Sequence, residues 1–453
     1  MTKAQRLTLI ATILGSGVVF LDGSIVNLAL PAMGKELDVG FAGQQWIIDG
    51  YLLSLSSLIL LGGSLGDIIG RKKIYIMGLI GFGIASLLCG IAPTAAMLIA
   101  ARILQGLFGA LMVPGALALI NTNFEKHARA GAIGSWTAWT SAIIAIAPFI
   151  GGTLIDSGSW RLIFFINIPL LLGCYLLGRQ AIKESKDSRP RRIDVIGAVM
   201  AMVSLAGITY GLIEGPSDHW GTASLLPLAG GSLLFAYFIW FEHRHKDPML
   251  ELSLFKVRNF TGANIATFAM YGALGGFFFA LVIYLQNKLG YTSLQAGLSS
   301  LPITLFLLGL SRRVGAWSAS IGPRLFMTFG PILAGIGILL LLPVDKGTSY
   351  VTGILPGICL FGLGMAGTVA PLTTTVLNSV EMDQSGIASA VNNAVSRVSG
   401  LIVIALLGLF GADQAYHFAV LLCGILAIVA GVVSFIFIRN EQVDLKKAVA
   451  QTD

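Results

Sequence analysis

The sequence is poor in charge. Asp, Glu, Lys and Arg make up 11% of its 453 residues, less than half of the roughly 25% usual in soluble domains. A soluble protein of this size needs a polar surface that this chain cannot supply. Disorder is excluded as well, because 55% of the residues are hydrophobic and such chains collapse. Cysteine is scarce: Cys89, Cys174, Cys359 and Cys423 each stand alone in an apolar run, so neither a disulfide framework nor a metal site is supported. No GxxxxGK[ST] loop is present, which argues against direct ATP drive. No nucleophile–base arrangement points to an enzyme. No lysine lies within an apolar run, so a Schiff-base pump is excluded.

Long apolar runs are abundant, and the mean hydropathy is +0.84. One helical span needs about 20 apolar residues. Fourteen candidates follow: 7–31, 45–66, 74–93, 95–120, 131–155, 162–180, 193–213, 223–242, 260–287, 294–311, 323–343, 350–376, 386–410 and 414–438. The run 223–242 is the weakest, with Pro227 near its start. The 56 glycines suit close helix packing in lipid. With the N-terminus inside, the inner segments carry 23 Lys and Arg and the outer segments four. The positive-inside rule then puts both termini in the cytoplasm and explains the net charge of +7 without nucleic acid. The first span is expected to stay as a permanent helix, since it lacks a cleavage signature. The longest polar stretches, 181–192 and 243–259, bracket spans 7 and 8. The expected domains are a six-helix bundle at 1–180, a linker with two extra helices at 181–259, a second six-helix bundle at 260–438 and a tail at 439–453.

The turn after span 2 reads Gly62-Gly63-Ser64-Leu65-Gly66-Asp67-Ile68-Ile69-Gly70-Arg71-Lys72-Lys73. Asp67 and Arg71, four residues apart, can reach each other or a neighbouring helix end. This string resembles the GxLaDxxGRKxxl signature of the major facilitator superfamily. Span 1 contains Leu21-Asp22-Gly23-Ser24-Ile25-Val26-Asn27-Leu28-Ala29-Leu30-Pro31, similar to the LDxTxVNxALP string of its 14-helix drug:proton antiporters. Arg102-Ile103-Leu104-Gln105-Gly106 and Trp160-Arg161 … Phe164 … Asn167 … Pro169 resemble two further strings of that group. The antiporter string GxxxGPxxGG is degraded in span 5: Ile143 and Ala147 replace its early glycines, while Pro148, Gly151 and Gly152 remain. The second half carries a faint copy of the turn, Arg313-Val314-Gly315 … Gly322-Pro323-Arg324, in which Ala319 stands opposite Asp67. The resemblance implies an all-α membrane fold of two six-helix bundles plus two inserted helices. It also implies a multi-pass protein of a prokaryotic cytoplasmic membrane that exports drugs against protons, as a monomer. Gly63, Asp67, Gly70, Arg71, Pro148, Gly151 and Gly152 would serve gating.

Charges within spans are expensive and usually face a cavity or a partner. Asp22 and Arg102, both expected in the outer half of the membrane, are the candidate proton site and its modulator. An arginine close to a carboxyl weakens its hold on a proton, and a withdrawn one restores it. Asp49, Asn27 and Arg397 complete the coupling candidates, with Asp49 open to a second reading as an interfacial helix-end acid. Aromatic side chains such as Trp46, Tyr51, Trp139, Phe277 and Tyr284 could meet a lipophilic cation by cation–π contact, though most aromatics in such proteins pack helices. The expected partners are a small lipophilic substrate, protons and the bilayer. No cofactor is expected, because the proton gradient would drive transport. A dedicated metabolite exporter, an exporter of anions read by Arg102 and Arg397, and an uptake symporter are the alternatives within the same fold.

Overall fold

A computed structural model describes residues 1–186, 194–245, 248–381 and 384–440. Half of the stretch 181–192 and most of the expected tail lie outside the described residues. Thirteen described helices are long and apolar enough to cross a membrane, and a fourteenth, Pro323–Leu339, is shorter and apolar. They are α1 (Lys3–Glu36), α2 (Phe41–Ile69), α3 (Arg71–Ile91), α4 (Ala95–Asn123), α5 (Lys126–Ser157), α6 (Leu162–Ala181), α7 (Val195–Glu214), α8 (Thr222–Arg244), α9 (Arg258–Asn287), α10 (Ser293–Ile321), α11 (Pro323–Leu339), α12 (Tyr350–Asn378), α13 (Ser385–Leu406) and α14 (Gly411–Phe437). No strand occurs among the described residues. In lipid the backbone must satisfy its own hydrogen bonds, and continuous helices do so.

Local chemistry sets the helix ends. Thr2 and Gln5 form a reciprocal capping box at the start of α1. Thr94 caps α4 through the Met97 amide, and Asp194 caps α7 through the Gly197 amide at 2.7 Å. Charge ends an apolar run without ending a helix, so α1 and α10 outlast the runs read from sequence. Pro227 costs α8 a backbone hydrogen bond near its start and does not break it. The short helix is α11, not α8.

The chain forms two compact units. The first holds Met1–Leu250 and the segment Tyr291–Leu298; the second holds the rest. In the first, α2 packs on α4, α3 on α4, α1 on α5 and α6, and α7 on α8 and α2. Trp46 of α2 donates to Glu214 of α7 at 2.7 Å, which fastens the α7–α8 pair to the unit. In the second, α9 packs on α13 and α14, and α11 on α12 and α14.

Glycine permits these approaches. A Cβ on Gly106 of α4 would lie 2.3 Å from the Tyr51 carbonyl oxygen of α2. A Cβ on Gly62 of α2 would lie 2.2 Å from the Ala110 carbonyl oxygen of α4. Backbones this close gain dispersion contacts, the main attraction between helices in lipid. Gly106→Ala should therefore destabilise the first unit by about 1–3 kcal/mol. Gly173→Ala, where a Cβ would meet nothing within 4 Å, should leave stability unchanged. Thermal unfolding of both purified variants in detergent checks the pair, and equal midpoints would refute the packing argument.

Candidate functional site

Asp22, two-thirds along α1, is 1% exposed and accepts three hydrogen bonds. Arg102 Nη1 of α4 donates to its Oδ2 at 2.5 Å. Gln105 Nε2 and Asn167 Nδ2 donate to its Oδ1 at 3.0 and 3.1 Å. Arg102 and Gln105 lie one helical turn apart on α4, and Arg102 Nη1 also donates to Gln105 Oε1 at 2.6 Å. Ser86 of α3 accepts from Asn167 at 2.9 Å and donates to the Phe164 carbonyl at 3.0 Å. Arg102 Nε donates to the Ile47 carbonyl of α2 at 3.2 Å, and its guanidinium lies 4.2 Å from the Tyr51 ring centroid. Five helices thus converge on one ion pair. A buried pair is tolerated when further hydrogen bonds answer it, and here both Asp22 oxygens and the Arg102 Nε and Nη1 are bonded.

Asp49 is fully buried on α2, and neither of its oxygens has a hydrogen-bond partner among the described residues. The reading as an interfacial helix-end acid does not fit this burial. Asn27 donates to the Gly23 carbonyl of its own helix at 3.0 Å and takes no part in the Asp22 cluster. Arg397 belongs to the second unit, half-buried on α13 and within electrostatic reach of Tyr271. Four of the five aromatics named above have partners within the helices. Tyr51 supports Arg102, Trp46 is bound to Glu214, Phe277 packs against Phe361, and Tyr284 stacks on Tyr416 at 3.7 Å. Trp139 alone of the five is well exposed, at 63%.

The α2–α3 junction is a fastening. Gly70 has φ of +134°, a conformation that needs glycine. Asp67 and Arg71 pair with each other at 2.7 Å. Glu184, beyond α6, reaches back to cap α3: its two oxygens accept from the Lys72 and Lys73 amides at 3.0 and 3.1 Å. A carboxylate there also meets the positive end of the helix dipole. Arg71 donates its amide to the Ser185 carbonyl at 3.0 Å. Of the paired glycines, Gly62 makes the tight contact with α4, whereas Gly63 meets only Pro114 at an ordinary 3.6 Å. The second unit repeats the device: Gly322 has φ of +109°, and Asn440 accepts from the Arg324 amide at 3.2 Å.

On α5, a Cβ on Gly151 would lie 2.5 Å from Ile25 of α1. A Cβ on Gly152 would lie 2.5 Å from the Leu294 Cα, in the segment that clusters with the first unit. Pro148 packs against Gly297 of that segment. Ile143, in place of one lost glycine, fills the space over Gly17 of α1. The substitution is thus accommodated by a small residue on the facing helix.

The family model described as Major Facilitator Superfamily matches residues 12–404 and 263–453. The chain belongs to the major facilitator superfamily. It is similar to the multidrug resistance protein Stp of Mycobacterium tuberculosis, 34% identical over 90% of this chain and 76% of that protein. The tetracenomycin C resistance and export protein of Streptomyces glaucescens is 32% identical, covering 90% and 76%. The multidrug efflux pump LfrA of Mycolicibacterium smegmatis is 31% identical, covering 86% and 78%. Among solved structures, the peptide transporter POT superposes with a TM-score of 0.72 over 96% of this chain and 94% of that one, at 15% identity, which shows the fold. The protein is a multi-pass bacterial membrane transporter of this superfamily.

Gln105, Asn167, Ser86 and Glu184 are the site residues that the sequence reading left out. Gln105 and Asn167 stand inside the motif strings around Arg102 and Trp160, so the signal was present. Ser86 and Glu184 lie in no motif, and their roles follow from contacts across long stretches of sequence. If Arg102 exists to neutralise Asp22, Arg102→Leu should cost about 3–5 kcal/mol by leaving a buried charge. The same change in an Asp22→Asn background should cost markedly less. Thermal unfolding of the four proteins of this cycle gives the coupling, and additive costs would refute the assignment.

Proposed function

We propose that this transporter exports lipophilic cationic compounds in exchange for protons, with Asp22 as the carboxylate for which proton, Arg102 and substrate compete. The observation that carries this reading is the buried Arg102–Asp22 pair, whose remaining Asp22 contacts are neutral amides from Gln105 and Asn167. Those amides can keep the carboxyl group in place when Arg102 withdraws. When the guanidinium withdraws, a proton can take its place as the counter-charge of the carboxylate. A cationic substrate competes for the same charge, so exchange needs no further linkage. The resistance and efflux names of the relatives support export as the direction and drugs as the cargo. An anionic substrate is less favoured, because Arg102 is committed to Asp22.

Asp49 carries a second proton in this reading. Exchanging one proton for one monovalent cation moves no net charge. A second proton lets the membrane potential contribute about 2.3 kcal/mol per 100 mV. The distribution of Lys and Arg supports a cytoplasmic location for both termini and for the Gly70 junction. There Asp67, Arg71 and Glu184 hold the ends of α2, α3 and α6 together as a gate, and the protein works as a monomer without cofactor.

Ethidium efflux from cells expressing the protein tests the proposal. Export should collapse on adding a protonophore and in Asp22→Asn, with membrane insertion unchanged. Asp49→Asn should keep pH-driven export and lose its dependence on membrane potential. Gradient-dependent export by inserted Asp22→Asn would overturn the assignment of the coupling carboxylate.

A further inference from the structure

A second carboxyl pair lies away from the Asp22 cluster, on the α7–α8 hairpin. Asp194, the cap of α7, is 7% exposed, and Glu242, near the end of α8, is 2% exposed. One oxygen of each is used: Asp194 Oδ1 accepts from the Gly197 amide at 2.7 Å, and Glu242 Oε2 from the Leu250 amide at 2.6 Å. The other oxygens, Asp194 Oδ2 and Glu242 Oε1, have no hydrogen-bond partner among the described residues. Both lie 2.4 Å from the point that a Cβ on Gly197 would occupy. The absent side chain of Gly197 is what lets the two oxygens approach each other.

Two buried acceptors facing each other are a mismatch. Two ionised carboxylates this close repel strongly and lose their hydration. The other charged or titratable groups described on the packed elements are exposed or have contacts of their own. On α8, His243 and Arg244 are exposed, with Arg244 over the Trp240 ring, and just beyond α8 His245 stacks on Phe241. On α2, Asp67 pairs with Arg71, and Asp49 is itself acidic. On α7, Glu214 accepts from Trp46 and Tyr210 packs on the same ring. No described cation pairs with either carboxyl group. One proton resolves the mismatch, because it turns one of the two unpartnered oxygens into a donor and leaves the other as its acceptor.

We propose that Asp194 and Glu242 share a single proton at neutral pH, and that this hydrogen bond clasps the ends of α7 and α8 to the Met249–Leu250 segment where the first unit ends. Met249 packs against the core that includes Ala198 of α7 and Ile182, so the clasp holds that segment on the unit. Loss of the proton leaves two negative charges in place of a bond. The clasp is intact at low and neutral pH and fails as pH rises. It is a proton site of the inserted hairpin, independent of the coupling assigned to Asp22.

Two measurements on the purified full-length protein in nanodiscs test it. Infrared difference spectra between wild type and Glu242→Gln should show, at neutral pH, a protonated-carboxyl C=O band that the variant lacks. Titrating wild type to alkaline pH should remove that band. The thermal midpoint of wild type should fall over the same pH interval. Glu242→Gln should not show this fall, because its amide donates to Asp194 without titrating. Asp194→Asn, which keeps the helix cap, should flatten the profile in the same way and serves if the first variant does not fold. Parallel pH profiles for wild type and both variants would overturn the proposal. So would stabilisation of wild type by magnesium or calcium with no protonated-carboxyl band, which would make the pair a cation site.

Discussion

A single buried ion pair organises the first unit. Burying Asp22 is unfavourable unless its charge is answered, and Arg102 answers it with help from further hydrogen bonds to both groups. Those partners come from separate helices: Gln105 from α4, Asn167 from α6, Ser86 from α3 and the Ile47 carbonyl from α2. Each helix is therefore held in rotation as well as in position, since a turn of one residue would move its polar group out of reach. A hydrophobic contact tolerates such slippage far better, because apolar attraction has no direction. The polar cluster fixes which arrangement of slippery helices is adopted.

That constraint explains where the tightest packing falls. Gly106 follows directly after Gln105, and its contact with the Tyr51 carbonyl brings α2 against α4 where Arg102 must reach Ile47. Ser54 of α2 donates to the Ile103 carbonyl of α4 at 2.7 Å on the same interface. A bulkier residue at 106 would separate the backbones and lengthen the arginine's contacts. Packing and chemistry are set by adjacent residues, so the string Arg102–Gly106 reads as one unit.

The spans, and the charge inside them, were legible in the sequence because hydropathy and the price of buried charge act locally. Asp22 and Arg102 stood out as charges in apolar runs, and their similar expected depth made them candidates to act together. The partners were harder. Gln105 and Asn167 are neutral, and a neutral amide in a helix does not announce whether it bonds its own turn, as Asn27 does, or a distant carboxylate. Glu184 lies in a polar stretch where an acid attracts no notice, yet it caps a helix more than a hundred residues earlier. Which aromatics pack was not legible either, because side-chain type does not distinguish a ring that lines a path from one that fills a helix interface.

The two junction glycines make a further physical point. Gly70 and Gly322 adopt the same left-handed conformation, and each helix that follows is capped by a side chain from far along the chain. In the first unit the cap is the carboxylate of Glu184; in the second it is the neutral amide of Asn440. The paired acid differs in the same sense, with Asp67 in the first unit and Ala319 in the second. Backbone geometry is thus kept in both halves while the acidic groups are kept in one. A charged cap meets the positive end of a helix more strongly than a neutral one. The first junction stands at the end of α2, the helix that also carries Asp49 and supplies the Ile47 carbonyl to Arg102. What the two halves repeat is thus the backbone turn and a side-chain cap from far along the chain, while the Asp67–Arg71 ion pair and the acidic cap belong to the first unit.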